Sequence, residues 1–223
     1  MRLFFIPGFG EEPAIFDKVH PAFSSEKVFV DHWELLGNEP RPTVDALIYA
    51  RELVSIFDIQ KNDVLVGHSM GGWIAWYAKH LVGCRVVQIA SWTDPRKVVS
   101  PISRPSLIYW LAKSGLYFNR VMMQYFLWQN YYKKPSAEIY LIVFKRLISG
   151  NNANAVNQLR VIFNPIREAA GVEPDLRIHS KADTTILFPD EPTQEVPGDH
   201  FNLWTHPAPI NQAIQKLLAQ LVG

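Results

Sequence analysis

Along the first ninety residues, unbroken apolar runs alternate with segments of helical spacing. Leu3-Phe4-Phe5-Ile6 is closed by Pro7-Gly8-Phe9-Gly10, which reads as a buried strand over 3–6 ending in a tight loop. Val28-Phe29-Val30 marks a second strand over 27–32. From 43 to 57, Leu47, Ala50, Val54 and Phe57 fall near helical spacing, with Thr43 the expected cap after Pro42. A third strand over 63–66 follows, then a helix over 70–81 that is apolar on nearly every face, then a fourth strand over 85–90. The alternation resumes with strands over 175–179 and near 194–196. It closes with a helix over 209–222, where Ile210, Ile214, Leu217 and Leu221 recur at helical spacing. Continuous apolar strands alternating with helices predict a parallel sheet covered on both faces, an α/β fold of three layers.

Between 95 and 170 the alternation stops. Candidate helices over 107–116, 119–132, 137–148 and 153–163 are separated by Pro101, Pro105, Pro135 and Gly150-Asn151-Asn152. The expected organisation is therefore a core of 1–94 and 171–223 with a helical insertion of 95–170. A length of 223 residues suits one such domain. Charge divides along the same line. The insertion carries 11 basic and two acidic residues, a net +9, while the remainder is −8. It also holds 12 of the 28 aromatics, so the chain's overall +1 conceals a basic, aromatic segment on an acidic body.

That near-neutral total gives no reason to expect a nucleic-acid partner. Cys84 is the single cysteine, which excludes an internal disulfide and a cysteine-based zinc site. Met1-Arg2 leads into four apolar residues stopped by Pro7, too few for a signal-peptide core or a membrane span. The apolar-rich stretches 121–132 and 139–148 are also too short to span. The expectation is a cytoplasmic protein with no stable membrane insertion.

The sharpest chemical signal is Gly67-His68-Ser69-Met70-Gly71-Gly72, which follows the third strand and opens the helix over 70–81. This is G-x-S-x-G in the strand-turn-helix setting the motif requires. Such a turn strains the serine backbone, leaves no room for side chains at Gly67 and Gly71, and projects the Ser69 hydroxyl from the carboxyl end of the sheet. The Met70 amide then lies at a helix N-terminus, where it can stabilise an oxyanion. A serine nucleophile needs a base. His200, between the last strand and the last helix, can reach that end of the sheet. His68 adjoins the serine but must point elsewhere. His20, His32, His80 and His206 read as surface or helix-end residues, and His179 as packing or loop support. The base in turn needs a carboxylate. Asp183, just past the strand over 175–179, is favoured, with Asp94 the rival; Asp190, Glu191 and Asp199 rank behind both. The loop 7–10 is the expected source of a second oxyanion donor, the Phe9 amide.

These residues, in the order Ser69, Asp183, His200, resemble the α/β-hydrolase superfamily over nearly the whole chain. Pro7-Gly8-Phe9-Gly10 is similar to its H-G-x-G oxyanion loop, with Pro7 where histidine is common. Gly67 to Gly71 is similar to its nucleophile elbow. His179-Ser180-Lys181-Ala182-Asp183 is similar to its H-G-x-x-D acid loop, and Pro197-Gly198-Asp199-His200-Phe201 to its histidine loop, one residue shorter. The insertion falls where that family places a helical cap. The chain opens at what would be the family's third strand, so the resemblance implies a small, mostly parallel sheet of about six strands that lacks the first N-terminal ones. Ser69, in place of the aspartate of dehalogenases and epoxide hydrolases, favours acyl transfer to water.

The expected activity is thus a serine hydrolase, carboxylesterase-like, that cleaves a carboxylic ester or thioester through an acyl-enzyme and needs no metal or organic cofactor. The same fold also serves carbon–carbon bond hydrolases and lyases and non-catalytic binding proteins. The expected partner is a small-molecule acyl substrate. Aromatics of the insertion, among them Tyr109, Trp110, Tyr117, Phe118, Tyr125 and Phe126, together with Trp128, Tyr131 and Tyr132, are candidates to line an apolar acyl pocket. Lys133, Lys134, Lys145 and Arg146 suggest an anionic portion of the substrate or a membrane surface nearby, unless the basic insertion simply complements the acidic body. Trp73 and Trp76 read as packing.

Overall fold

The computed structural model describes residues 1–168 and 170–222; Ala169, within the insertion, and Gly223 lie outside the described residues. Six strands carry the fold: β1 (Arg2–Ile6), β2 (Glu26–Phe29), β3 (Val64–His68), β4 (Arg85–Ile89), β5 (Leu176–His179) and β6 (Gln194–Glu195). They form one sheet in the order β2-β1-β3-β4-β5-β6, and every pairing is parallel. Between β2 and β3 lie α1 (His32–Leu35) and α2 (Ala46–Phe57), and between β3 and β4 lies α3 (Met70–Val82). Four helices separate β4 from β5: α4 (Pro105–Lys113), α5 (Arg120–Phe126), α6 (Ala137–Ser149) and α7 (Asn152–Phe163). After β6 come α8 (Asn202–Thr205) and α9 (Pro207–Val222).

Alternation along each strand divides the core in two. Leu3 and Phe5 of β1 and Val64 and Val66 of β3 join a cluster with Phe16, Ile210 and Ile214. Phe4, Ile6 and Leu65 join the opposite cluster with Leu53 of α2 and Ile74 of α3. Successive strand side chains point to opposite faces, so an all-apolar strand must be covered twice. The interior position of β1 and β3 follows from the absence of any polar face along Leu3-Phe4-Phe5-Ile6 and Val64-Leu65-Val66.

Local chemistry moves several boundaries. Asp45, not Thr43, caps α2, accepting the Ile48 amide at 2.8 Å. Asp58 in the left-handed region, φ 48°, ends that helix, and Gly83 ends α3 in the same way. β2 stops at Phe29 rather than at 32, because Asp31 accepts the Trp33 amide at 2.8 Å and starts α1. The helix expected over 119–132 is α-helical only to Phe126 and widens into a π turn over Leu127–Tyr131. Trp73 and Trp76 do pack, and each indole N–H donates to a backbone carbonyl, of Val161 and Val172.

The segment between β4 and β5 is anchored through α7. The Asn154 amide donates to the Trp33 and Gly37 carbonyls at 2.9 Å each, and Asn157 donates to Glu39 at 2.8 Å. These buried amides satisfy carbonyls of α1 and of the irregular backbone that follows it, and hold α7 against that stretch.

His32, expected at the surface or a helix end, starts α1 but is completely buried. Its Nε2–H donates to the Pro7 carbonyl at 2.9 Å, and its Nδ1 accepts from the Tyr49 hydroxyl at 2.9 Å. Burial lowers its pKa to about 4 against the partial opposition of the Pro7 carbonyl and the charges of Asp31 and Glu11. The unfolded chain takes up this proton near pH 6.5, the folded chain only near pH 4. The stabilisation by His32 is therefore complete above about pH 6.5 and is lost as the pH falls toward about 4. The unfolding free-energy difference between wild type and His32→Gln is expected to shrink by about 2 kcal/mol between pH 7 and pH 4.5. Urea titrations at the two pH values check this, and a pH-independent difference would contradict it.

Candidate active site

Ser69 sits between β3 and α3 at φ 51° and ψ −120°, a backbone state that L-residues rarely hold. Its amide donates to the Ile89 carbonyl at 2.9 Å, and its carbonyl accepts from the Ser91 hydroxyl at 2.7 Å. The turn is closed by contact: a Cβ on Gly71 would lie 2.0 Å from the Ile6 carbonyl oxygen, and one on Gly67 would lie 2.4 Å from the Gly71 backbone. The Ser69 side chain does not cap α3. It points to His200, whose Nε2 is 3.1 Å from Oγ.

His200 Nδ1–H donates to Asp183 Oδ2 at 2.8 Å, which leaves Nε2 as the acceptor facing the serine. Asp183 is buried and accepts two further amides on Oδ1, Thr185 at 2.8 Å and Ile186 at 3.0 Å. Burial alone would raise its pKa. The positive charge of the His200 ring when protonated and the hydrogen bonds from His179 and His200 outweigh that and hold the carboxyl well below the usual range. Asp183 therefore stays ionised throughout the neutral range. His179 supports this loop, with Nε2 3.0 Å from the Ile186 carbonyl.

The rival carboxylates lie elsewhere. Asp94 caps the turn Pro95–Lys97 and pairs with Arg96. Asp190 pairs with Lys97 at the surface. Asp199 adjoins His200 in sequence but accepts the Ser136 hydroxyl and the Phe201 amide.

The loop after β1 brings the Phe9 amide to the same end of the sheet. Its neighbours are both committed, the Gly8 amide to Glu11 and the Gly10 amide to Gln158 Oε1 at 2.8 Å. The Phe9 and Met70 amides have no hydrogen-bond partner among the described residues.

Glu11, Gln158 and His68 form a supporting layer that the sequence did not single out. His68 is wholly buried, with Nδ1 2.8 Å from Glu11 Oε1 and Nε2 2.9 Å from the His200 carbonyl. Both partners are acceptors, so both ring nitrogens donate and His68 is an imidazolium. Burial alone would lower its pKa, and the Glu11 carboxylate reverses the shift upward. Glu11 thus joins the loop after β1 to His68, and His68 joins the serine turn to the backbone of His200. The available signal was Glu11 itself, an acid in a tight loop after a buried strand.

Ser69 and His200 open onto a cavity of about 420 Å³. Its walls are largely apolar, with Phe9, Ile108, Phe118, Phe126, Phe144 and Leu147 among them, and Trp92 near the serine. Tyr117, Phe118, Phe126 and Tyr131 line it as expected from the sequence. Trp110, Tyr125, Trp128 and Tyr132 do not: they lie on the outer faces of their helical segments and are exposed. Tyr109 turns to Asn164, its hydroxyl donating at 3.0 Å. Among the described residues, no lysine or arginine lines the cavity.

A family model described as the alpha/beta hydrolase family matches residues 3–213. No curated protein matches the sequence. Similar solved structures include a hydrolase from Oleispira antarctica, 14% identical with a TM-score of 0.74, covering 98% of this chain and 90% of that one. A thermophilic esterase from Thermogutta terrifontis is 13% identical with a TM-score of 0.71, over 99% and 90% of the two chains. An enol-lactonase from Burkholderia xenovorans is 12% identical with a TM-score of 0.72, over 98% and 91%.

Removing the Glu11 carboxylate leaves the His68 cation and the Gly8 amide unpaired in the interior. Glu11→Ala is expected to lower the unfolding free energy by about 3–5 kcal/mol. Glu11→Gln, whose one amide oxygen can take the place of Oε2, which faces both the Gly8 amide and His68 Nδ1, is expected to lose less. Chemical denaturation of the two variants checks the order.

Proposed function

The chain belongs to the alpha/beta hydrolase family, and from that premise we propose that it is a serine hydrolase of carboxylic esters or thioesters. The observation that carries this reading is the continuous hydrogen-bonded path from Ser69 through His200 to an ionised Asp183, opening on an apolar cavity. Ser69 Oγ attacks the acyl carbonyl carbon while His200 Nε2 takes the hydroxyl proton. Asp183 holds the imidazole in the tautomer that can accept it and stabilises the imidazolium that results. The Phe9 and Met70 amides donate to the tetrahedral oxyanion, Met70 with the added field of the α3 N-terminus. His200 passes its proton to the leaving oxygen or sulfur. It then activates a water that releases the acid from Ser69.

Residues 95–170 serve as the cap in this reading, and their inward side chains hold the acyl group. A cavity of about 420 Å³ lies toward the small end of ligand sites. Its lining contains no lysine or arginine among the described residues, which favours a neutral, apolar acyl group. Esterase and enol-lactonase relatives in structure are consistent with an ester bond, since a lactone is a cyclic ester.

A fluorophosphonate probe followed by peptide mass mapping tests the proposal. Labelling is expected at Ser69 and nowhere else, and it is expected to be lost in Ser69→Ala. Turnover of a short p-nitrophenyl ester should fall by about three orders of magnitude or more in His200→Ala and in Asp183→Asn. A folded protein that neither labels nor turns over esters would overturn it.

A further inference from the structure

The outer face of α5 and the π turn that follows it is an apolar stripe with nothing packed on it. Val121, Tyr125, Trp128 and Tyr132 follow one another by four, three and four residues, the spacing of one helical face. All four are exposed, Val121 by 76% and Trp128 by 68%. The opposite face supplies Met123 and Tyr131 to the core. Leu107 and Trp110 of α4 and Leu116 in the intervening turn are exposed as well. Seven of the 13 large apolar side chains exposed among the described residues thus fall within 107–132, a concentration that scattered surface leucines do not produce.

The segment that carries the stripe is basic, and the first acidic residue after it is Glu138. Residues 95–137 contain seven basic and no acidic side chains. Arg96 pairs with Asp94, and Lys97 with Asp190. Arg104, Lys113, Arg120, Lys133 and Lys134 have no ion-pair partner among the described residues, so the acidic body does not neutralise them. Arg146, by contrast, pairs with Glu12 and stacks on Trp33, which removes it from the basic set expected near a ligand. The Lys133 ammonium lies 5.2 Å from the Tyr132 ring centroid, at one end of the stripe.

Indole and phenol rings beside an aliphatic side chain, flanked by uncompensated lysines and arginines, suit a layer that is apolar beneath and anionic at its surface. We infer that the outer face of Arg120–Tyr132 docks on an anionic phospholipid bilayer. The position of the cavity fits this arrangement. Exposed Gln129 and half-buried Asn130, next to Trp128, line it, as does exposed Val99, so the cavity wall reaches the surface beside the stripe and docking brings it to a membrane that concentrates apolar acyl compounds. The contact is peripheral: no helix among the described residues is long and apolar enough to cross a membrane. It goes beyond the hydrolase reading and does not depend on Ser69.

Co-sedimentation of the full chain with vesicles tests it, using phosphatidylcholine alone and phosphatidylcholine mixed with phosphatidylserine, each at low and high salt. Binding to the phosphatidylserine vesicles is expected to be about tenfold or more the stronger, and to weaken at high salt. Val121→Ser/Trp128→Ser and Lys133→Gln/Lys134→Gln should each reduce it by about tenfold. Both double variants should retain the wild-type Tm and the wild-type rate on a soluble ester without vesicles. Ser69→Ala should bind vesicles as wild type does, so a failure of docking is read separately from a failure of the catalytic assignment. No binding to either vesicle at low salt would overturn the inference, and so would binding that neither double variant weakens. Self-association abolished by Val121→Ser/Trp128→Ser, without vesicle binding, would also overturn it and give the stripe to a second copy of the chain.

Discussion

The approach of α3 to the edge of β1 is the constraint on which the rest depends. A methyl group at Gly71 would overlap the Ile6 carbonyl, so the helix lies against the strand at backbone distance. That contact leaves Ser69 no ordinary backbone conformation, and the chain holds it at φ 51°. The strain is sustained because the flanking elements are deeply buried, with Leu3–Ile6, Val64–Val66 and Met70 all inaccessible. In return, the hydroxyl is withheld from helix capping and aimed at His200, and the first amide of α3, that of Met70, has no partner among the described residues.

Around that turn, polar groups are buried in pairs that join segments distant in sequence. His32 holds the Pro7 carbonyl, Glu11 holds the Gly8 amide, and Gln158 holds the Gly10 amide. Three anchors, at residues 7, 8 and 10, thus flank the Phe9 amide and determine where it lies. Glu11 also ionises His68, and His68 carries the constraint to the His200 backbone. A buried ion pair contributes little net stability against its desolvation. Its effect here is geometric, since it ties three loops from different strand ends to one another at hydrogen-bond precision.

The insertion follows a different logic on its two sides. Its inner residues form a chain of rings, Phe126 on Phe144, Phe144 on Phe118 and Phe118 on Phe9, edge to face or tilted, and so line the cavity with rings rather than with the basic side chains the segment is rich in. α7 spends buried amides on the body and keeps the insertion in place. The outer side keeps its aromatics and its unpaired cations. Aromatic and basic residues are interspersed along its sequence, and the helical repeat sorts them by face.

The sheet and the site motif were legible because each is a local statement. Unbroken apolar runs such as Val64-Leu65-Val66 can be satisfied only in a strand covered on both faces, and G-x-S-x-G after such a run marks a turn too tight for side chains. Chain order also placed Asp183 and His200 at strand ends on one side of a parallel sheet. What the tertiary structure alone decided is which polar groups meet. Asp94 and Asp183 both follow strands, and only the packing of the loop after β5 puts one beside His200 and leaves the other to Arg96. His32 and His68 are unremarkable in sequence, and their partners lie 25 and 57 residues away, at Pro7 and Glu11. Trp128 and Phe126 are two positions apart and equally apolar, yet one faces water and the other the cavity. Hydrophobic periodicity reports how much of a helix is buried; which buried or exposed neighbour each side chain finds is set by contacts between segments, which no local pattern contains.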